Sequence, residues 1–269
     1  MPEENTIFEN ASRDWSQSVR SRITPENFFY KKSIGSTNDF LMALAKEKET
    51  PPFALAVAEH QTSGRGRRGD AWVAPEGRNL LFSILLDLDL PPKTWTRLPH
   101  LVACSLGKAV ESLLGDNRKV ETKWPNDIYL EGKKLAGILV ETSLTPKLRA
   151  IVGVGINVNM RPEEFPEELQ ETATSLYGEM GCESSRWYLL SLFLENLIQG
   201  FPNALEDFDE CLSWLSERDF LKGKDVVVTA KKESVEGVAS GIDEDGSLLV
   251  ASATLGEIKI ISCDQLLYC

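Results

Sequence analysis

Val120-Glu121-Thr122-Lys123-Trp124-Pro125-Asn126-Asp127-Ile128-Tyr129-Leu130-Glu131-Gly132-Lys133-Lys134-Leu135-Ala136-Gly137-Ile138-Leu139-Val140-Glu141 holds three strand-like stretches separated by two sets of turn residues. Val120 to Trp124 reads as the first strand; Pro125 stops it, and Asn126-Asp127 suit an Asx turn. Ile128-Tyr129 and Leu135 to Glu141 flank Glu131-Gly132-Lys133-Lys134, a hairpin signal. Outward from this stretch, Ala150 to Val158 adds a strand and residues 98–114 a helix. Phe28 to Lys32, Ala54 to Ala58 and Leu80 to Leu86 read as further strands. Ser36-Thr37-Asn38-Asp39 offers N-cap chemistry before the helical pattern Phe40, Leu41, Ala43, Leu44. Strands and helices mixed in this order predict an α+β fold, a mixed β-sheet flanked by helices. The apolar spacing from Ser185 to about Leu215 is helical, and its charged face is expected to carry most of the local acidity. Val226 to Val228, Ser234 to Ala239, Leu248 to Ala251 and Ile258 to Ile261 predict a small C-terminal β-barrel. Residues 1–26 read as a short helix or arm, too short for a helix-turn-helix domain plus linker.

The chain has 269 residues, 42% hydrophobic and 26% charged, with a mean hydropathy of -0.20. That is enough for a core with a buried site, and no apolar run approaches the ~18 to 20 residues of a membrane span. Met1-Pro2-Glu3-Glu4 lacks the features of a secretory signal, and five scattered cysteines (Cys104, Cys182, Cys211, Cys263, Cys269) cannot all pair. A reducing cytoplasm is the expected location. The net charge of -12 argues against nucleic acid and anionic membranes as partners. It is unevenly spread: residues 1–160 hold 21 basic against 19 acidic side chains, residues 161–219 hold 3 against 14, and residues 220–269 hold 5 against 8. The first segment therefore permits a local anion site.

Gly64-Arg65-Gly66-Arg67-Arg68-Gly69 is a literal G-x-G-x-x-G, but Asp70-Ala71-Trp72-Val73-Ala74-Pro75 follows instead of a helix, which argues against dinucleotide binding. No P-loop, H-R-D or D-F-G occurs. What remains is either a mobile basic surface loop or one whose backbone and guanidiniums close on phosphate or carboxylate oxygens. Lys134 lies at the mouth of a strand, as a solvated hairpin charge or a site cation. Gly137 reads as a bulge or as ligand space. Gly153-Val154-Gly155-Ile156-Asn157-Val158-Asn159 is an apolar strand interrupted by glycines, a pattern that marks a place where a ligand lies on the sheet.

Taken together, Ser36-Thr37-Asn38, Gln61-Thr62 with Gly64 to Trp72, Lys123 to Asp127, Lys134 to Leu139 and Gly155 to Asn159 resemble the biotin protein ligases, in family order. The resemblance implies a catalytic fold like that of class II aminoacyl-tRNA synthetases, at residues 27–219, followed by an SH3-like β-barrel at 220–269. It implies ATP and biotin as substrates, Mg2+ as the ATP counterion, and a biotin carboxyl carrier protein domain as acceptor. No dedicated metal ligands are expected. Some members carry an N-terminal DNA-binding domain, for which residues 1–26 leave no room, so the resemblance implies the ligase role alone. Dimerisation through a sheet edge occurs in the family.

Residue by residue, the resemblance places Ser36, Thr37, Asn38 and Gln61 on the ureido ring of biotin, with Gly64, Arg65, Gly66, Arg67, Lys134 and Gly137 completing that subsite. Arg65, Arg67 and Lys134 would stabilise charge as carboxylate meets phosphate, and Lys123, Arg68 and Asn126 would assist at the nucleotide. Trp72 would close the loop over the adenylate, and Asn157 would meet adenine. The strand glycines would leave room for the ligand. Lys134, Arg67 and Asp127 are the catalytic candidates, Asp127 as helper of the acceptor amine. Asp70 would pair with Arg68 or soften phosphate binding. A lipoate-type ligase and a non-catalytic biotin sensor are the competing readings.

Overall fold

The computed structural model describes residues 2–46, 50–115, 117–144, 147–230 and 233–269. Two short helices, α1 (Pro2–Ala11) and α2 (Gln17–Arg20), lead into β1 (Phe28–Ile34), α3 (Thr37–Ala45), β2 (Leu55–Gln61) and β3 (Leu80–Asp87). After α4 (Leu98–Leu114) come β4 (Glu121–Lys123), β5 (Asp127–Leu130), β6 (Lys133–Ser143) and β7 (Arg149–Ile156). These seven strands form one sheet in the order β1-β2-β3-β7-β6-β5-β4. The β1–β2 pair is parallel and every other neighbour antiparallel, the mixed sheet expected.

Strand side chains alternate between faces. On one face, Phe82, Ile84, Ile138, Val152 and Val154 meet α4 and the helix α6 (Arg186–Gly200), whose Leu190, Phe193 and Leu197 complete the main core. On the other, Leu41 and Ala45 of α3 pack on Ala56, Leu85 and Ile151. The residues of β3, β6 and β7 that share this second face are Ser83, Gly137, Leu139, Glu141, Gly153 and Gly155. The cleft described below opens on this part of the sheet.

Three expectations change. Residues 1–26, read as a short helix or arm, form two short helices and no arm: Trp15, Val19 and Ile23 lie in the main core, and Phe8 and Trp15 pack edge-on with Phe28. The helix expected from Ser185 to Leu215 is broken into α6, α7 (Asn203–Glu206) and α8 (Asp209–Ser216), following a short α5 (Leu176–Met180). Pro202, without an N–H, ends the continuous run. Seven of the fourteen carboxylates of residues 161–219 precede Ser185, where 3-10 turns and α5 lie, so the acidity is shared rather than helical.

Strands β8 (Asp225–Ala230), β9 (Glu233–Ile242), β10 (Leu248–Ser252), β11 (Gly256–Ile260) and β12 (Gln265–Tyr268) make an antiparallel sheet in the order β11-β10-β9-β8-β12. Sequence patterning did not reveal β12. The core of this sheet takes in Trp124 and Tyr129 from the main domain, beside Phe220, Val226, Leu248 and Val250. A second tie is polar. The Gly246 carbonyl lies 2.8 Å from His100 Nε2 and accepts from Trp124 Nε1 at 3.0 Å. Gly246 has a φ of 79°, and a Cβ there would approach the His100 ring to 2.6 Å.

Burial pushes His100 down from the ordinary 6.5 to about 4, against the opposing pull of the Gly246 carbonyl and Asp243. Between those values the unfolded chain binds a proton that the folded chain does not, so stability falls as pH drops from 6.5 toward 4. Urea unfolding across this window should show a shallower fall for His100→Gln, whose amide can donate to Gly246 without titrating. Identical pH dependence in parent and variant would remove His100 as the linked group.

Candidate active site

A cavity of about 240 Å3 opens on the glycine-bearing face of the sheet. Every candidate drawn from the sequence lines it except Gly64 and Asn157. Gly64 instead closes the loop, its carbonyl accepting from the Trp72 N–H at 2.9 Å. Asn157 is buried behind the strand: its Oδ1 accepts from Asn79 Nδ2 at 3.2 Å and its Nδ2 donates to the Thr174 carbonyl at 3.0 Å. Both ends of its amide are thus engaged in holding the segments around the strand end.

At one end of the cavity a hydrogen-bonded chain runs through short polar side chains. Ser36 caps α3, accepting from the Asp39 N–H at 3.4 Å. Gln61 Oε1 accepts from the Thr37 N–H at 2.8 Å and lies 3.1 Å from Thr37 Oγ1. The hydroxyl of Ser83, fully buried, is 2.6 Å from both Thr37 Oγ1 and Asn38 Oδ1. Asn38 Nδ2 donates to Glu141 Oε2 at 2.8 Å, and Glu141 Oε1 accepts from Arg65 at 3.0 Å. Arg65 also pairs with Asp39 in the first turn of α3. The hydrogen bond to Asp39, and then that to Glu141, raises the proton affinity of Arg65 further. Arg65 thus fixes the start of the glycine loop to two elements.

The strand glycines are needed for protein groups. A Cβ on Gly153 would lie 2.3 Å from Asn38 Oδ1, and one on Gly155 would lie 2.6 Å from the Trp72 ring. Gly137 would place a Cβ 3.1 Å from the same indole. The space expected for a ligand on Gly153 and Gly155 is therefore occupied by Asn38 and Trp72, which line the cavity themselves. The loop carrying Trp72 folds across the cavity as a small hairpin, with Gly66 N donating to the Asp70 carbonyl at 2.7 Å and a 3-10 turn at Arg67–Gly69.

At the other end the charges collect. Lys134 Nζ is 2.8 Å from Asp127 Oδ1 and 5.8 Å from the Trp72 ring centroid. The Lys134–Asp127 approach is an ion pair without hydrogen-bond alignment, since Asp127 Oδ1 has no hydrogen-bond partner. β5 and β6 bring the two residues together, with Asp127 opposite Gly137 in the register. Asn126 holds its turn by donating Nδ2 to the Ile138 carbonyl at 2.7 Å, and its Oδ1 lies 3.5 Å from Arg67 Nη1. Lys123 is partly buried, with its ammonium 3.2 Å from Tyr129 Oη and 4.3 Å from the Tyr268 ring centroid. Burial lowers its proton affinity, against the pull of Asp127. Arg68, at a φ of 63°, donates to the Cys263 carbonyl at 2.9 Å, so of the two roles open to Asp70 the pairing with Arg68 is not formed.

Sequence reasoning missed Ser83 and Glu141, which organise the polar end, Asp39, an exposed partner of Arg65 outside the cavity wall, and Cys263 and Leu266, which bring the C-terminal sheet into that wall. Glu141 shares the strand face of Gly137 and Leu139 at a period of two, and Asp39 adjoins the Ser-Thr-Asn run, so both had a sequence signal. Ser83 was visible only as the one hydroxyl in an apolar strand, and Cys263 and Leu266 follow from tertiary packing alone.

The model of the biotin/lipoate A/B protein ligase family matches residues 30–159, and that of the biotin protein ligase C terminal domain matches residues 223–262. The chain is 35% identical over 217 residues to the biotin-[acetyl-CoA-carboxylase] ligase of Mycobacterium tuberculosis, an alignment covering 80% of this chain and 79% of that one. It is 31% identical to the bifunctional ligase/repressor BirA of Bacillus subtilis, over 91% of this chain and 75% of BirA. Among solved structures, the biotin protein ligase from Aquifex aeolicus in complex with biotin and ATP superposes with a TM-score of 0.78 at 31% identity, covering 91% of this chain and 100% of that one. Motifs, fold and both domain matches agree, and the chain belongs to the biotin protein ligase family.

Proposed function

We propose that this chain activates biotin with ATP and transfers it to a lysine of a biotin carboxyl carrier protein domain. In the first step a biotin carboxylate oxygen attacks the α-phosphorus, pyrophosphate leaves, and biotinyl-5'-adenylate forms. In the second, a neutral lysine amine attacks the acyl carbon, AMP leaves with its oxygen, and the amide nitrogen loses a proton. The observation that carries this reading is one cavity with a neutral polar end, at Ser36, Thr37, Asn38 and Gln61, and a cationic end at Arg67, Arg68, Lys123 and Lys134. The first set suits the ureido ring of biotin, whose donors and acceptor need neutral partners. The second suits a triphosphate meeting a carboxylate, where two anions must approach.

Lys134, which pairs with Asp127 at 2.8 Å, is assigned to the charge developing between carboxylate and α-phosphate. Exchange of that partner for phosphate would free Asp127 for the acceptor amine, which has an unperturbed pKa near ~10.4 and must be deprotonated before it attacks. Trp72 and the hairpin from Gly64 shield the mixed anhydride from water. Asn157 acts behind the nucleotide end as a support, its amide already engaged. Mg2+ enters with ATP as part of the substrate, and triphosphate oxygens supply its ligands. Among the described residues no cluster of three or more His, Cys, Asp or Glu side chains offers it a site. No helix among them is long and apolar enough to cross a membrane, and all five cysteines are free, which suits a reducing cytoplasm. Residues 27–219 and 220–269 are the two units assigned to this chemistry, joined through Trp124.

Purified protein should release pyrophosphate with biotin and ATP but not with lipoate and ATP; the reverse preference would replace this reading by the lipoate one. Biotin binding without any labelling of a carrier domain would leave a sensor. Lys134→Ala should lower adenylate formation by about 100-fold or more, the scale of removing one charge-stabilising group. Asp127→Asn should slow transfer from preformed adenylate while sparing its formation, and unimpaired transfer would end the assignment of Asp127. Gly153→Ala should displace Asn38 and weaken biotin binding while the chain remains folded; calorimetric binding equal to the parent would show that Asn38 is not at the ureido ring.

A further inference from the structure

We propose that Glu141 is a positioning residue of the biotin subsite: it fixes which way the Asn38 amide faces and couples that amide to the arginine that anchors the glycine loop. This deepens the reading above and rests on it. Glu141 lies on β6, on the same face as Gly137 and Leu139, with its side chain 26% exposed. Its two oxygens serve two partners: Oε2 accepts from Asn38 Nδ2 at 2.8 Å and from Arg65 Nη2 at 3.3 Å, and Oε1 accepts from Arg65 Nη1 at 3.0 Å.

An ionised carboxylate only accepts hydrogen bonds, so the edge of Asn38 that faces it must be the NH2. Asn38 Nδ2 also reaches the Leu139 carbonyl, at 3.4 Å, which is acceptor-only as well. Asn38 Oδ1 is thereby turned toward the Ser83 hydroxyl and over Gly153, at the polar end of the cavity. Ser83 has one proton for Thr37 Oγ1 and Asn38 Oδ1, so the orientation of Asn38 propagates to Thr37 and Gln61. The pattern of donors and acceptors offered to the ureido ring is thus set from the carboxylate, two side chains away.

Asp39 is the natural control. It too pairs with Arg65, but its side chain is more than half exposed and no hydrogen bond joins it to the Asn38 amide. A glutamine at position 141 offers one oxygen and one NH2. Whichever way it rotates, its NH2 faces either Asn38 Nδ2 or the Arg65 guanidinium, donor against donor. With the NH2 toward Asn38, that amide relieves the contact by reversing and offers Ser83 an NH2 in place of an oxygen; with the NH2 toward Arg65, the link between Asn38 and the loop arginine is broken instead.

The test is calorimetric titration of the full chain with biotin alone, alongside steady-state kinetics in ATP. Glu141→Gln should raise the biotin Kd about tenfold or more, the loss expected when a hydrogen bond to a charged group is replaced by a mismatch. Asp39→Asn should hold it within about twofold, as for a solvent-exposed ion pair. KM for ATP should move by less than about twofold in Glu141→Gln, because the triphosphate end is not in this chain of contacts. Glu141→Asp, which keeps the charge on a shorter arm, should fall between Glu141→Gln and the parent.

Biotin affinity equal to the parent in Glu141→Gln overturns the proposal. So does equal weakening in Asp39→Asn, which would make loop anchoring the whole effect. If Glu141→Gln fails a thermal-unfolding check, the comparison of Glu141→Asp with Asp39→Asn decides: a greater loss in Glu141→Asp supports the proposal, and equal values end it. A parent chain that binds no biotin removes the ligase reading itself, a different failure from any of these.

Discussion

The site depends on a bare patch of sheet. Where α3 begins, β6 and β7 present Gly137, Gly153 and Gly155 on one face; side chains at 153 and 155 would collide with Asn38 and Trp72, and one at 137 would crowd Trp72. The absence of Cβ atoms lets a polar amide and a large indole rest directly on the sheet. Asn38 comes from the first turn of α3, and Trp72 from the loop that crosses the cavity. Both are therefore placed by the same floor, and the polar subsite and its cover share one reference surface. A strand of ordinary alternation would give the same sheet and core but lift both groups off it.

The second constraint is that the cationic end is built by two units. Lys123-Trp124-Pro125-Asn126-Asp127 is a motif of the main sheet, yet its Trp124 is buried in the core of the C-terminal sheet and donates to Gly246. Arg68 reaches across to the Cys263 carbonyl, and Lys123 sits beneath Tyr268. Displacement of the C-terminal sheet would release a tryptophan from its core, a guanidinium from its acceptor and an ammonium from its aromatic ring. The tryptophan is thus a bracket for its neighbours, and its conspicuous place in the motif reflects packing.

Local patterning made the strands of the main sheet legible, because period-two alternation and turn residues survive in the sequence whatever the tertiary context. Helix α4 was legible for the same reason, its long amphipathic run ending at Gly115 with a φ of 67°. The motif residues were brought into one cavity with Gly64 and Asn157 outside its wall, and no spacing rule distinguishes those two, since what decides them is where neighbouring segments spend their hydrogen bonds. A short helix was legible in residues 1–26 but its burial was not, because that depends on Phe28, and β12 was not legible, having too few apolar residues for a periodic signal and a place set by β8. Apolar spacing carried the helical reading past Pro202, where the missing N–H outweighs it. Glu141 carried the period-two signal of its strand face, but a carboxylate near the end of a strand reads as a solvated charge until Arg65 and Asn38 are seen on either side of it.

That pairing also refines the electrostatics of the cavity. A count of local arginines and lysines treats them as equivalent, but they divide into two sets. Arg65 is neutralised by Asp39 and Glu141, and Lys134 by Asp127. Arg67, Arg68 and Lys123 instead meet an amide, a carbonyl and aromatic or phenolic groups, with no carboxylate in an ion pair among the described residues. A neutral partner leaves the charge of a cation to act on an incoming anion, whereas a carboxylate cancels most of it at short range. Anion attraction is therefore concentrated where the loop turn meets the motif and the C-terminal sheet, and it is nearly absent beside Asn38. A polyanion that also carries a neutral, hydrogen-bonding partner has one favourable orientation in such a cavity, set by this charge gradient before any atom of the reaction moves.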